Sequence, residues 1–208
     1  MTRLVGMGSA EIREAAKLVL KGGLIAYPTD TVYGLGCDPF DPQAVDRLVE
    51  AKRRVKSALP ILVNSLDHAK RIGEFDAEST QLAKRFWPGP VTLIVPALEG
   101  LPLKVTGDSQ QVGLRIPNHE KTLNLIEKCG GALVGTSANI SGGASLTTAA
   151  AVMSELNGRI DLVLDGGPSL LSIESTVVRA FGGEISILRQ GAISRDDILK
   201  AARVARAR

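Results

Sequence analysis

Eight short apolar runs, none longer than five residues, punctuate the chain: Leu24 to Tyr27, Ile61 to Val63, Val91 to Val95, Val112 to Ile116, Ala132 to Gly135, Leu162 to Leu164, Thr176 to Ala180 and Ile185 to Arg189. Runs this short, rich in Val and Ile, suit strands buried in a sheet and are too short for helices of ordinary length. Stretches of helical periodicity separate several of them: Ser9 to Val19, Asp41 to Lys52, Leu66 to Ile72, Ala77 to Phe86, Lys121 to Lys128, Thr148 to Leu156 and Arg195 to Val204. Phe181-Gly182-Gly183-Glu184 reads as a hairpin turn, which makes at least one strand pair antiparallel. The alternation predicts an α/β fold with a mixed sheet and flanking helices.

Local punctuation supports these boundaries. Ser9 is the expected N-cap of the first helix, and Gly22-Gly23 its stop. Asp41-Pro42 supplies an N-cap and a proline at the first helical position. The apolar stripe of that second helix, Val45, Leu48 and Val49, continues at position 52, where the sequence has Lys52. With 208 residues, 44% of them hydrophobic, and no repeat or Pro/Ser-rich linker, the expectation is one domain over 1–208 with no additional C-terminal domain.

Composition narrows the functional classes. Aromatics are only 3% while glycines number 22, so the excess lies in shaped backbone loops and favours a small-molecule site over a base-stacking platform. The formal charge of +3 comes from the basic end, where Lys200, Arg203, Arg206 and Arg208 meet no acid. The interior cluster Arg47, Lys52, Arg53, Arg54 and Lys56 is compact, which suits a small anion better than a long duplex. Cys37 and Cys129 lack C-x-x-C spacing, and only His68 and His119 could join them, which argues against a structural zinc or a disulfide framework. No apolar run approaches the roughly 18 residues of a membrane span, so the expectation is a cytoplasmic protein with no membrane partner.

Three segments carry chemistry. Tyr27-Pro28-Thr29-Asp30-Thr31-Val32-Tyr33-Gly34-Leu35-Gly36 combines a rigid turn with hydroxyls, as a ligand loop or as an ordinary connection with local caps. Lys52-Arg53-Arg54-Val55-Lys56 ends a helix whose buried stripe points at Lys52; phosphate would satisfy an inward lysine, and a solvated helix end is the alternative. Gly135-Thr136-Ser137-Ala138-Asn139-Ile140-Ser141-Gly142-Gly143-Ala144-Ser145 lies between a strand and a helix, where amides and hydroxyls cradle phosphate or simply form turns and caps. It is not a P-loop. Arg115, Ser175 and Arg189 stand on strands or at strand ends, facing either a cleft or solvent.

In this order the blocks PTDTVYGLG, AKRR, FWPGPVTLIV, VGLRIPNH, GTSANISGGAS, DLVLDGGP, ESTVV and ILRQGAIS resemble the YrdC/TsaC family of threonylcarbamoyl-AMP synthases, from about Tyr27 to Ser194. The resemblance implies a YrdC-like twisted mixed sheet with a concave, positively charged face. It implies a K-x-R and S-x-N signature on Lys52, Arg54, Ser137 and Asn139 as the catalytic set. ATP would lie against Lys52, Arg54, Lys56, Ser137, Ser145 and Arg189, with Mg2+ arriving on the triphosphate. Threonine would be held by Thr29 or Thr31, by Arg115 through its carboxylate, and by Ser175. Bicarbonate is the third substrate, and the product serves the tRNA threonylcarbamoyl-transfer machinery. The sequence departs from the family at Ser57-Ala58 and at Gln190. Two rival readings are a protein that binds tRNA or double-stranded RNA, and a YrdC-like nucleotide-binding paralogue with another substrate.

Overall fold

The computed structural model describes residues 1–53 and 58–206. Two mixed sheets form the scaffold, where the sequence suggested one. The first runs β1 (Arg3–Gly6), β9 (Leu162–Asp165), β2 (Ile25–Tyr27), β3 (Gly34–Gly36), β8 (Thr136–Ser137) in spatial order. Its first three strands are parallel; β3 pairs antiparallel with both β2 and β8. The second runs β11 (Glu184–Arg189), β10 (Thr176–Phe181), β5 (Val91–Pro96), β6 (Gln111–Arg115), β4 (Ile61–Val63), β7 (Ala132–Val134). There β10 is parallel to β5 and β4 to β6, and the other pairs are antiparallel.

All eight apolar runs are strands, with ends shifted by a residue or so. Three further strands, β1, β3 and β8, escaped the sequence reading because they are only two to four residues long; β1 is mostly exposed, β3 is largely glycine and β8 is two polar residues. In β3 the glycine is steric: a Cβ on Gly36 would overlap the Val134 carbonyl oxygen, where the two sheets touch. The Tyr27 hydroxyl donates to that same carbonyl at 2.6 Å, and the Val134 amide to Cys37 O at 3.0 Å.

Period-2 alternation gives the second sheet two chemically distinct faces. Ile61, Val63, Val91, Leu93, Val95, Val112 and Leu114 are at most 1% exposed and face the core. Each such side chain contributes about 1.5–3 kcal/mol on leaving water. The intervening residues, among them Thr92, Ile94, Gly113 and Arg115, face the opposite way and line a cavity. Ile94 pairs with Gly113, Val177 with Thr92, and Leu62 with Arg115, so register brings this second set into one continuous wall.

Helices then fix the loops around that wall. Helix α1 (Ser9–Val19) buries Ile12, Ala15, Ala16 and Val19. Its cap is Gly8, not Ser9 as the sequence suggested, and Ser9 is the first helical residue. The expected glycine stop is present: Gly22, at φ +80°, donates to Val19 O and Gly23 to Leu18 O, closing a Schellman turn. Helix α2 (Pro42–Ala51) is capped by Asp41, whose carboxylate accepts from Gln43 N at 2.9 Å and Ala44 N at 3.2 Å. Its buried stripe Ala44, Val45, Leu48 and Ala51 ends by directing Lys52 inward, 2% exposed. Helices α3 (Leu66–Lys70), α4 (Ala77–Phe86), α6 (Glu120–Lys128), α7 (Ala149–Leu156) and α8 (Arg195–Arg206) occupy the expected stretches, and α5 (Leu103–Thr106) is a short addition. Among the described residues no helix is long and apolar enough to cross a membrane.

Candidate active site

A cavity of about 300 Å3 lies between the sheets, walled by the second sheet on one side and by β3, β8 and the loop before β3 on the other. Its polar groups fall into three clusters.

The first cluster joins the 29–31 loop to β6. Arg115, 4% exposed, donates through Nη2 to Asp30 Oδ1 at 3.0 Å and through Nη1 to Thr31 Oγ1 at 3.0 Å. Thr29 Oγ1 gives its only proton to Val32 O at 2.6 Å. The 2.9 Å contact between the two threonine hydroxyls is therefore donated by Thr31. Thr29 Oγ1 also accepts the Thr31 amide at 3.1 Å and is saturated. Thr31 Oγ1 keeps one lone pair and no proton, so it can meet a hydrogen-bond donor but not an acceptor. Burial depresses the pKa of the Arg115 guanidinium while Asp30 works to raise it. Asp30 Oδ2 and Arg115 Nε are buried without a hydrogen-bond partner among the described residues.

Beside this cluster, His119 caps α6. Its Nδ1 accepts from Thr122 N at 3.2 Å, and the Thr122 hydroxyl donates to Pro28 O at 2.7 Å, tying the helix to the 27–36 segment. Burial lowers the His119 pKa, and nearby Asp30 opposes that shift. The folded protein thus binds this proton less readily than the unfolded chain does. Its contribution to stability is complete above the ordinary imidazole range near 6.5 and is lost as pH falls through it. Thermal melts from pH 8 to pH 5 should show that decline in the wild type. His119→Asn, which caps without titrating, should show a smaller one; equal slopes would remove His119 as its source.

The second cluster builds the S-x-N segment. Ser137 Oγ lines the cavity and donates to Asn139 Oδ1 at 2.5 Å. Asn139, 4% exposed, spends its amide on Gly143 O at 2.7 Å and Ile140 O at 3.0 Å, which folds the 139–143 loop. Lys52 lies behind that loop, not on the cavity wall: its ammonium donates to the Ser137 carbonyl and, at 2.7 Å, to Asn139 O. The Lys52 carbonyl in turn accepts from Ser141 N at 3.0 Å. An inward lysine does need acceptors, and here backbone carbonyls of the S-x-N segment provide them.

The third cluster stands at the mouth. Ser175 Oγ contacts Thr92 Oγ1 at 2.8 Å, and Arg189 Nη2 donates to Ser175 O at 2.9 Å. Arg189 Nη1 also pairs with Glu174, whose other carboxylate oxygen accepts from the Ser145 hydroxyl.

The structure therefore places Thr29, Thr31, Arg115, Ser137, Ser175 and Arg189 on the cavity, with Ser145 at its edge and Lys52 and Asn139 supporting it. Arg54 and Lys56 lie outside the described residues. Asp30, Thr92 and Glu174 were missed, although two acids were legible as the carboxylates embedded in the threonine loop and in ESTVV. Among the described residues no group of three or more His, Cys, Asp or Glu side chains is placed to hold a metal ion.

Comparison with known proteins agrees with this architecture. The Sua5_yciO_yrdC family model, described as "Telomere recombination", matches residues 17–191. Threonylcarbamoyl-AMP synthase of Pyrococcus abyssi is 40% identical over 192 residues, covering 91% of this chain and 56% of the relative. That of Bacillus subtilis is 38% identical over 192 residues, covering 90% and 55%. The chain thus spans about half the length of these relatives. The crystal structure of P. abyssi Sua5 complexed with L-threonine superposes with a TM-score of 0.90 at 38% identity, covering 97% of this chain and 60% of that one.

Proposed function

Because the chain belongs to the Sua5/YciO/YrdC family, we propose that it is a nucleotidyltransferase making threonylcarbamoyl-AMP and pyrophosphate from L-threonine, bicarbonate and ATP. The observation that carries the reading is that one cavity is lined by Thr31 and Arg115 and also by Ser137 and Arg189, with Ser145 joined to Arg189 through Glu174; we assign the first pair to the amino acid and the others to phosphate. The named activity of the relatives supports the same assignment.

In this reading the lone pair left on Thr31 Oγ1 receives the threonine amine, and Arg115 faces the carboxylate, with Ser175 completing the contact. The ammonium gives up one proton to become the free amine, bicarbonate loses water to give carbon dioxide, and the amine adds to that carbon and releases a second proton to leave the carbamate. The resulting carbamate oxygen attacks the α-phosphate of ATP, and the bond to pyrophosphate breaks. No covalent enzyme intermediate is needed. The chain's contribution is to hold two anions in line and to place donors where charge builds on the phosphate. Ser137 and Asn139 shape that site, Lys52 fixes the loop that carries them, and Arg54 and Lys56 supply phosphate charge. The 1–208 chain then acts as one YrdC-like cytoplasmic domain with a concave positive face, feeding tRNA threonylcarbamoylation.

Pyrophosphate release from MgATP, with threonine and bicarbonate omitted in turn, tests the reading. Release that requires both is expected; release that ignores threonine would sink the assignment.

A further inference from the structure

The described cavity lining holds two arginines, Arg115 and Arg189, and one carboxylate, Glu174. Each arginine is already matched: Arg115 by Asp30 behind it, Arg189 by Glu174 beside it. A polyphosphate entering here would meet no net positive charge from these pairs, and at Arg189 it would approach a carboxylate directly. The two pairs differ in what they can release. Asp30 and Arg115 are buried at 5% and 4% side-chain exposure, so separating them strands two charges. Glu174 and Arg189 are 34% and 47% exposed, and water can receive either group when they part.

Geometry makes Glu174 the movable member. Arg189 is fixed from its other side, with Nη2 on the Ser175 carbonyl at 2.9 Å and on Ser175 Oγ at 3.3 Å, so its guanidinium stays in place if Nη1 is freed. Glu174 also bridges the two halves of the scaffold. Ser145 follows β8 of the first sheet, while Glu174 lies in the segment just before β10 and Arg189 ends β11 of the second, and the carboxylate links them across the mouth. An anion that takes Arg189 Nη1 and Ser145 Oγ removes both partners of Glu174 at once.

We infer that Glu174 is a built-in competitor for the polyphosphate: it occupies the Arg189 and Ser145 donors, is displaced when the triphosphate binds, and returns to help expel pyrophosphate. Glu174 is a positioning residue and takes no part in bond making. The inference rests on the nucleotide reading above and adds a residue to it that sets anion affinity.

Calorimetric titration of the whole chain with inorganic pyrophosphate, MgATP and L-threonine tests it in the wild type, Glu174→Gln and Glu174→Asp. Removing the charge while keeping the hydrogen-bonding shape should tighten pyrophosphate and MgATP binding by about tenfold, with threonine affinity unchanged. Glu174→Asp, which keeps the charge, should stay near the wild type for all three. In steady state Glu174→Gln should lower the KM for ATP and also lower kcat, with pyrophosphate inhibiting at lower concentration. Unchanged or weaker pyrophosphate binding in Glu174→Gln, in protein whose melt matches the wild type, overturns the inference and leaves the nucleotide reading intact. A wild type that binds neither MgATP nor pyrophosphate overturns both.

Discussion

Replacing Lys52 with alanine is expected to slow pyrophosphate release about 10²-fold or more and to destabilise the fold by about 2–5 kcal/mol. Both effects have one origin. The Lys52 ammonium holds the Ser137 and Asn139 carbonyls, and its own carbonyl holds Ser141 N, so the S-x-N loop is pinned at three points to the end of α2. Alanine would leave two carbonyls without their charged donor and open a space where the 2%-exposed stem packed. Lys52→Met separates these causes, because it restores packing without the donor. Denaturant melts should recover part of the loss in Lys52→Met, while pyrophosphate release stays low in both variants. A fully active Lys52→Met would show that the ammonium is dispensable for arranging Ser137.

Arg115→Ala should also destabilise the fold, by about 3–5 kcal/mol, because it leaves the buried Asp30 carboxylate without its partner. The side chains concerned are 4% and 5% exposed, so solvent cannot take over the lost partner. The same change should raise the threonine KM far more than the ATP KM, since Arg115 also orders Thr31. Combining it with Asp30→Asn in a double-mutant cycle should give a loss well below the sum of the two singles. Additive losses would mean the pair contributes nothing as a pair, and a larger rise in the ATP KM would move Arg115 to the nucleotide end.

Much of this was legible in the sequence, for identifiable reasons. Strands such as Val91 to Val95 stood out because both faces are occupied by apolar or β-branched residues, and the start of α2 stood out because Asp41 caps it and proline follows. Ser9 misled because Gly8 precedes it in extended conformation and starts the helix with no side-chain cap. The segments that line the cavity were found by their hydroxyls, but their partners were not, because partnership is set by register. Leu62 faces Arg115 only because β4 lies parallel to β6, and Asp30 reaches Arg115 across 85 positions of sequence. Lys52 was recognised as inward-pointing from its place on the α2 stripe, whereas the identity of its acceptors depended on where β8 ends.

Strand order in the first sheet bears on how the chain reaches this state. Strand β9, at 162–165, lies between β1 and β2, which are separated from it by well over a hundred residues. Until the ribosome has delivered residues 162–165, β1 and β2 have no strand to join them, and until it delivers Arg115 the Thr29–Thr31 loop lacks that partner. Loop-closure entropy must be met before those distant pairings give anything back, which slows folding and makes it late to commit. The nascent chain therefore exposes two unpaired edges until β9 arrives, the interval in which it depends most on being kept from other chains.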